Sequence, residues 1–242
     1  AAKMMSDYKG RFGLFTVLPM PDIDATLKEI AYGFDVLKAD GAGFVSSYGR
    51  QWLGDKAFQP IWEELNRRNA VVYTHPTDSA CCHAIEGAWS GPGTIEWLTD
   101  TARSLHSVIA DGPNGTAPSV ATRYPNIKFI WSHAGGALLG LVSRVVGGVS
   151  GEELARTPPV NSHLHHVRRF FYDTAGSANP ILMQGLKRLL GDTSHILFGT
   201  DLPFGNGGLT IAQQLPSSGL TAEELRKIDR ENALAILPKW RT

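Results

Sequence analysis

The 242 residues include only two cysteines, Cys81 and Cys82, and these are neighbours in the chain. Adjacent cysteines rarely bond to one another, so a secreted disulfide scaffold is excluded. There is no surplus of either charge, because 23 basic and 23 acidic side chains cancel. A neutral chain offers no electrostatic case for binding nucleic acid or an anionic membrane, and neither partner is expected. No apolar run approaches the roughly 20 residues that cross a bilayer. The start, Ala1-Ala2-Lys3-Met4-Met5, lacks the hydrophobic core of a signal peptide. The stretch from Gly33 to Gly43 lacks GxGxxG spacing and no Walker motif is present, which removes the common phosphate loops. Repeats, low-complexity segments and internal linkers are absent as well. The expectation is a soluble cytoplasmic protein, long enough for one α/β barrel or two smaller domains.

Short apolar runs alternate with longer amphipathic stretches. Phe12 to Val17, Gly43 to Ser46, Val71 to Thr74, Phe129 to Ser132, Phe170 to Tyr172 and Ile196 to Phe198 read as six strands. Between them, Ile23, Leu27, Ile30, Phe34 and Leu37 fall on one helical face, as do Phe58, Ile61, Trp62 and Leu65. Ile95, Leu98, Ala102, Leu105 and Val108 form a third stripe, and a further helix starts near Leu138. Asn179-Pro180 reads as an N-cap followed by proline at the first helical position. Thr221 and Glu224 have the spacing of a capping box. The segments from Asp111 to Ser119 and from Gly147 to Val160 read as surface excursions. Runs that are apolar without alternation suit strands buried on both faces, and strand–helix alternation suits a parallel sheet. An open doubly wound sheet and a closed barrel both satisfy that pattern.

Polar residues follow four successive strands. His75 ends the third, His133 follows the fourth, Asp173 follows the fifth and Asp201 follows the sixth. In a parallel barrel the carboxyl ends converge on one face, and that face carries the chemistry. Two imidazoles and a carboxylate there could hold a divalent ion such as zinc. Each residue taken singly also has a structural role to play: a loop histidine, a turn aspartate at Asp201, a cap through Thr174 at Asp173, a tight turn at Gly135-Gly136. Recurrence at four equivalent positions favours the shared site. Cys81-Cys82-His83 cannot readily wrap one ion, and His163, His165 and His166 read as a solvated loop.

Four motifs in order then resemble a known family. They are Thr74-His75-Pro76-Thr77, Phe129-Ile130-Trp131-Ser132-His133-Ala134-Gly135-Gly136, Phe171-Tyr172-Asp173-Thr174-Ala175 and Leu197-Phe198-Gly199-Thr200-Asp201-Leu202-Pro203-Phe204. They are similar to the amidohydrolase-related decarboxylases of the amidohydrolase superfamily, the group of the aminocarboxymuconate semialdehyde and resorcylate decarboxylases. The His-Ala-Gly-Gly wording is closest in texture to the methylsalicylate branch. The resemblance implies a (β/α)₈ TIM barrel with one divalent metal, zinc or alternatively manganese. It implies His75 and Asp201 as metal ligands and places His133 beside the metal-bound water. The family's first strand also carries a His-x-His or Glu-x-His pair, which does not occur before Arg11. Residues 1–242 are therefore expected to form one barrel domain lacking its first two strands, with Phe12 to Val17 and Ile196 to Phe198 as unpaired edges.

The activity so implied is non-oxidative decarboxylation of a small hydroxy-aromatic carboxylic acid of the salicylate type. His133 or Asp201 would move the proton. Trp89, Arg103 and Phe204 are the expected substrate-binding side chains, with Trp97 as a further pocket wall. A homodimer is expected, because open strand edges invite pairing. Two other readings stay open: a metal-dependent lactone or ester hydrolase of the same superfamily, and a non-catalytic paralogue.

Overall fold

Six apolar segments pair side by side, all parallel, in chain order. In the computed structural model these are β1 (Phe15–Val17), β2 (Gly41–Val45), β3 (Val71–His75), β4 (Lys128–Trp131), β5 (Phe171–Asp173) and β6 (Ile196–Leu197). The structure describes residues 1–82, 91–112, 115–204 and 207–241. All six match strands read from the sequence, with ends that stay or move by up to three residues, and a short antiparallel hairpin, Ser47–Tyr48 with Gln51–Trp52, was not read. The first strand is the shortest relative to expectation, beginning at Phe15 rather than Phe12.

Neighbouring residues on a strand point to opposite faces, and the two faces bury different partners. Ala42, Phe44, Val72, Phe129, Trp131, Tyr172 and Ile196 join a large core with the helices. Val71, Ile130, Phe171 and Leu197 form a second cluster on the other face, together with Phe15, Tyr73 and Ile236. Burial on both sides explains why the runs are apolar without alternation. Each fully buried side chain of this size contributes about 1.5–3 kcal/mol.

The helices that pack outside are α1 (Ile23–Ala31), α2 (Gln59–Arg67), α3 (Glu96–Ile109), α4 (Leu138–Val145), α5 (His163–Arg169) and α6 (Pro180–Leu190). Asp22 caps α1 by accepting from Ala25, and Asn179 caps α6 by accepting from Leu182. The stripe expected to run unbroken to Leu37 instead changes to a wider turn at Tyr32–Val36, where Leu37 N–H reaches Tyr32. Gly33 sits in that turn against Thr16 of β1, so closely that a Cβ there would meet the threonine side chain at 2.7 Å. Two segments read as loops are helical. The excursion from Gly147 to Val160 contains a short helix, Gly151–Ala155, with a Ser150–Glu153 capping box. The histidine-rich stretch is α5, with Leu164, His166 and Val167 buried. Its N-cap, Ser162, accepts from His165 N–H, a signal hidden among the histidines.

Among the described residues β1 and β6 are the sheet edges, and β6 is not bare. On its free side Phe198 N–H donates to the Ile228 carbonyl, and Asn232 Nδ2 donates to the Ile196 carbonyl at 2.8 Å. The expectation of an unpaired edge there is corrected: helical turns after Thr221 satisfy the groups that another strand would take. The same C-terminal segment then reaches the other edge. Asp40, just before β2, accepts from Trp240 Nε1 at 2.6 Å and Leu14 N–H at 2.8 Å, and pairs with Lys239 at 2.7 Å.

Candidate metal centre

His75 is the last residue of β3. Its Nδ1 lies 2.9 Å from the Pro76 carbonyl, which can only accept. That contact makes Nδ1 the donor and leaves Nε2 with a lone pair. Nε2 lies 3.2 Å from Oδ1 of Asp201.

His133 stands two residues beyond β4, at the start of a turn in which His133, Ala134, Gly135 and Gly136 all have positive φ. The left-handed region is costly for residues with a Cβ, and such strain persists only where surroundings enforce it. The enforcement is visible. Asp173, at the end of β5, accepts the His133 N–H at 2.8 Å and the Ala175 N–H at 3.1 Å on Oδ1, and the Tyr73 hydroxyl at 2.9 Å on Oδ2. At the other end of the turn, a Cβ on Gly136 would run into the Leu98 carbonyl of α3. The His133 ring is held in the same way as that of His75: Nδ1 donates to the Ala175 carbonyl at 3.0 Å. Its Nε2 lies 4.0 Å from Asp201 Oδ1. Asp201 also has positive φ, a conformation aspartate tolerates better than most residues. The Thr174 hydroxyl steadies the approach to it, donating to the Gly199 carbonyl at 3.0 Å.

The ligand atoms of His75, His133 and Asp201 all lie within 4.8 Å of one another. Both imidazoles have spent their N–H on a backbone carbonyl, so three acceptors face one point. A shared cation would stabilise such an arrangement. A histidine whose second nitrogen donates to a carbonyl is also the usual form of a metal ligand. The His75 imidazole nitrogen and the Asp201 carboxylate oxygen, with the His133 imidazole beside them, therefore fit one divalent ion. Burial raises the Asp173 carboxyl above the usual carboxylate range, against the pull of His133 and its hydrogen bonds. The Tyr73 hydroxyl is pushed up by burial and by that same carboxylate. Asp173 is thus a positioning group for His133 and not merely a cap through Thr174.

Aromatic rings line the centre. The Phe204 ring stacks 6.2 Å from that of His75, and Trp97 meets His75 edge-on at 6.3 Å. Trp97 Nε1 donates to Asp78 at 2.5 Å. Arg103 is half-buried on α3 with Nη2 3.3 Å from Cys82 Sγ and Nη1 4.0 Å from Asp100. It makes no hydrogen bond or ion pair with the three-residue centre among the described residues. Trp89 and His83 lie outside the described residues. His163 and His165, on α5, do not join the centre, and His163 instead donates to the Val145 carbonyl at 2.7 Å.

The sequence reading missed a second buried carboxylate. Asp100 is fully buried on α3, accepting from Ser46 at 2.5 Å, Ser47 at 2.9 Å and Trp52 Nε1 at 2.7 Å. Ser46 Oγ in turn accepts the Thr77 N–H, which ties the loop after β2 to the loop that follows His75. The trace in sequence is slight: three short polar residues, Asp100, Thr101 and Ser104, share the helix with the apolar stripe and are all buried.

The amidohydrolase family profile matches residues 1–239. The chain is 32% identical to the 6-methylsalicylic acid decarboxylase of Penicillium expansum, over 95% of this chain and 69% of that protein. It is also 32% identical to decarboxylase yanB of Aspergillus niger, over 99% of this chain and 67% of that protein. A dihydroxybenzoic acid decarboxylase from Polaromonas, solved with manganese and 2-nitroresorcinol, shares the fold at a TM-score of 0.81 and 20% identity, over all of this chain and 73% of that one. The strand order matches the (β/α)₈ architecture expected from the motifs, with six strands in the parallel sheet among the described residues. A profile spanning almost every residue, and a fold that gathers its histidines and aspartate at the strand ends, make this chain a member of the amidohydrolase family.

Proposed function

We propose that the protein catalyses metal-dependent, non-oxidative decarboxylation of a small hydroxy-aromatic carboxylic acid of the salicylate type. The observation that carries this reading is the convergence of His75 Nε2, His133 Nε2 and Asp201 Oδ1 on one point beneath aromatic rings. The names of the relatives support the substrate class. Zinc suits a donor set of imidazole nitrogen and carboxylate oxygen, with manganese as the alternative. His75 and Asp201 would hold the ion. When bound, it would supply Lewis-acid charge for the substrate's carboxylate and ortho-hydroxyl.

The remaining work falls to the side chains. His133 is oriented at its backbone and at Nδ1, so only Nε2 is free to carry a proton toward the ring carbon that bears the carboxylate. Asp201, facing both imidazoles, is the second group able to hold that proton. Protonation of the ring carbon breaks aromaticity. The carbon–carbon bond to the carboxylate then breaks, its electron pair returns to the ring, and carbon dioxide leaves. Phe204, Arg103 and Trp89 are the side chains we assign to the substrate, and Phe204 has direct support in its stacking on His75. A cytoplasmic homodimer forming one barrel domain is the context of this proposal; no described helix is long and apolar enough to cross a membrane.

Carbon dioxide release from a panel of 2-hydroxybenzoates, benzoates lacking the ortho-hydroxyl, and aryl lactones tests it. Release from the 2-hydroxybenzoates alone, lost in Asp201→Asn, is expected. Lactone opening without release of carbon dioxide would instead identify a hydrolase.

A further inference from the structure

Outside the metal centre, two neighbouring thiols have no part in the proposed reaction. Cys81 Sγ and Cys82 Sγ lie 2.7 Å apart on the loop that follows β3. Both thiols are free, Cys81 exposed and Cys82 half-buried. Ser79 Oγ lies 3.0 Å from Cys81 Sγ, and the Arg103 guanidinium lies 3.3 Å from Cys82 Sγ.

We propose that Cys81 and Cys82 form a chelating dithiol site for a thiophilic ion, of the trivalent arsenical, mercuric or cuprous kind. The alternative fate of two adjoining thiols is a disulfide. Neighbouring Cα atoms are about 3.8 Å apart across a trans peptide, whereas unstrained disulfides span about 4.4–6.8 Å. A bond between these two would be strained and readily reduced, so the pair is kept as thiols. An ion carries no such constraint, because it bridges two sulfurs that already converge. The thiolate is the ligating form. Contact with the Cys82 thiol and the Ser79 hydroxyl holds the Cys81 thiol below its usual value, so Cys81 is the first to ionise, while the same contact and burial push the Cys82 thiol up. The guanidinium would go on to balance the charge of a dithiolate. Ion softness separates the two sites: sulfur pairs select soft ions, while imidazole and carboxylate suit zinc and manganese. The loop also connects to the metal centre, since Asp78 holds Trp97, which borders His75.

Phenylarsine oxide is the probe. Its condensation with the pair forms two arsenic–sulfur bonds and breaks two S–H bonds, and the oxygen leaves as one water; no oxidant or reductant is involved. Intact-mass measurement on the folded full chain should show one arsenical per chain, retained against excess monothiol and removed by a dithiol. Cys81→Ser and Cys82→Ser should each lower retention by about a hundredfold, because chelation depends on the second thiol being held nearby. Circular dichroism of each variant controls for folding, and the substitutions are nearly isosteric. Retention unchanged in either variant, or release from the wild type by monothiol alone, would overturn the proposal.

Discussion

The backbone N–H of His133 donates to Oδ1 of Asp173 at 2.8 Å, linking the ends of adjacent strands across the candidate metal centre. The same carboxylate also accepts from Ala175 N–H and Tyr73 Oη. Asp173→Ala leaves these donors unmet in a buried place, each at a cost of about 1–3 kcal/mol. Asp173→Asn keeps an oxygen for the two N–H groups, and the Tyr73 hydroxyl can turn to accept from the new amide. Denaturant unfolding should therefore rank the alanine variant below the asparagine variant, by about 2 kcal/mol or more. Equal stability of the two would remove Asp173 from its role in holding the His133 turn.

Three acceptors around one point predict one divalent ion per chain. Calorimetric titration with zinc and with manganese should show a single site, and His75→Ala and Asp201→Asn should each weaken it by about a hundredfold or more. His75 and Asp201 are two protein ligands where stable zinc sites use three or four, so a mild chelator should strip the chain and added metal should restore it. Undiminished binding in both variants would place the ion elsewhere.

His166 gives a pH dependence of defined sign. Its ring is 1% exposed, with Nε2 3.0 Å from Thr122 Oγ1. Burial, reinforced by Arg169, lowers its pKa from 6.5 to about 4. The folded state thus binds the proton more weakly than the unfolded chain. The stability it contributes is present above pH 6.5 and is lost as pH falls toward 4, on the order of 3 kcal/mol in all. His166→Gln should flatten the acid limb of a stability–pH profile measured by urea unfolding. An unchanged limb in that variant would assign the acid sensitivity to other groups.

Asp40 fastens the C-terminal segment to the β1 side of the sheet through Leu14, Trp240 and Lys239. Asp40→Ala leaves the Leu14 and Trp240 donors without a partner and should cost about 2–4 kcal/mol. Freed from its tie, the segment should also expose β6, and sedimentation should then show association through that edge. A variant as stable and as dispersed as the wild type would mean that apolar packing of Ile236 alone holds the segment.

Much of the architecture was legible in the chain. Continuous apolar runs marked strands buried on both faces, and helical stripes such as Phe58, Ile61, Trp62 and Leu65 marked their outer cover. These signals are local, because strand and helix periods are written in consecutive residues. The caps at Asn179 and Thr221 were readable for the same reason: each is a contact across three positions. His75, His133, Asp173 and Asp201 could be picked out because each follows an apolar run, and a parallel sheet brings such positions to one face.

Tertiary structure alone decided what those residues do to one another. That His75 and His133 both donate through Nδ1 depends on carbonyls placed by turns, one of them after a different strand. The burial of Asp100, with partners 48 to 54 positions away, left almost no trace in the chain. Nor could the sequence show that Asn232 and Ile228 would cover the edge of β6. The physical reason is common to all three. Periodicity and capping are contacts between near neighbours, whereas the partner of a buried donor or acceptor is set by how distant segments pack, and by the cost of leaving that group unmet.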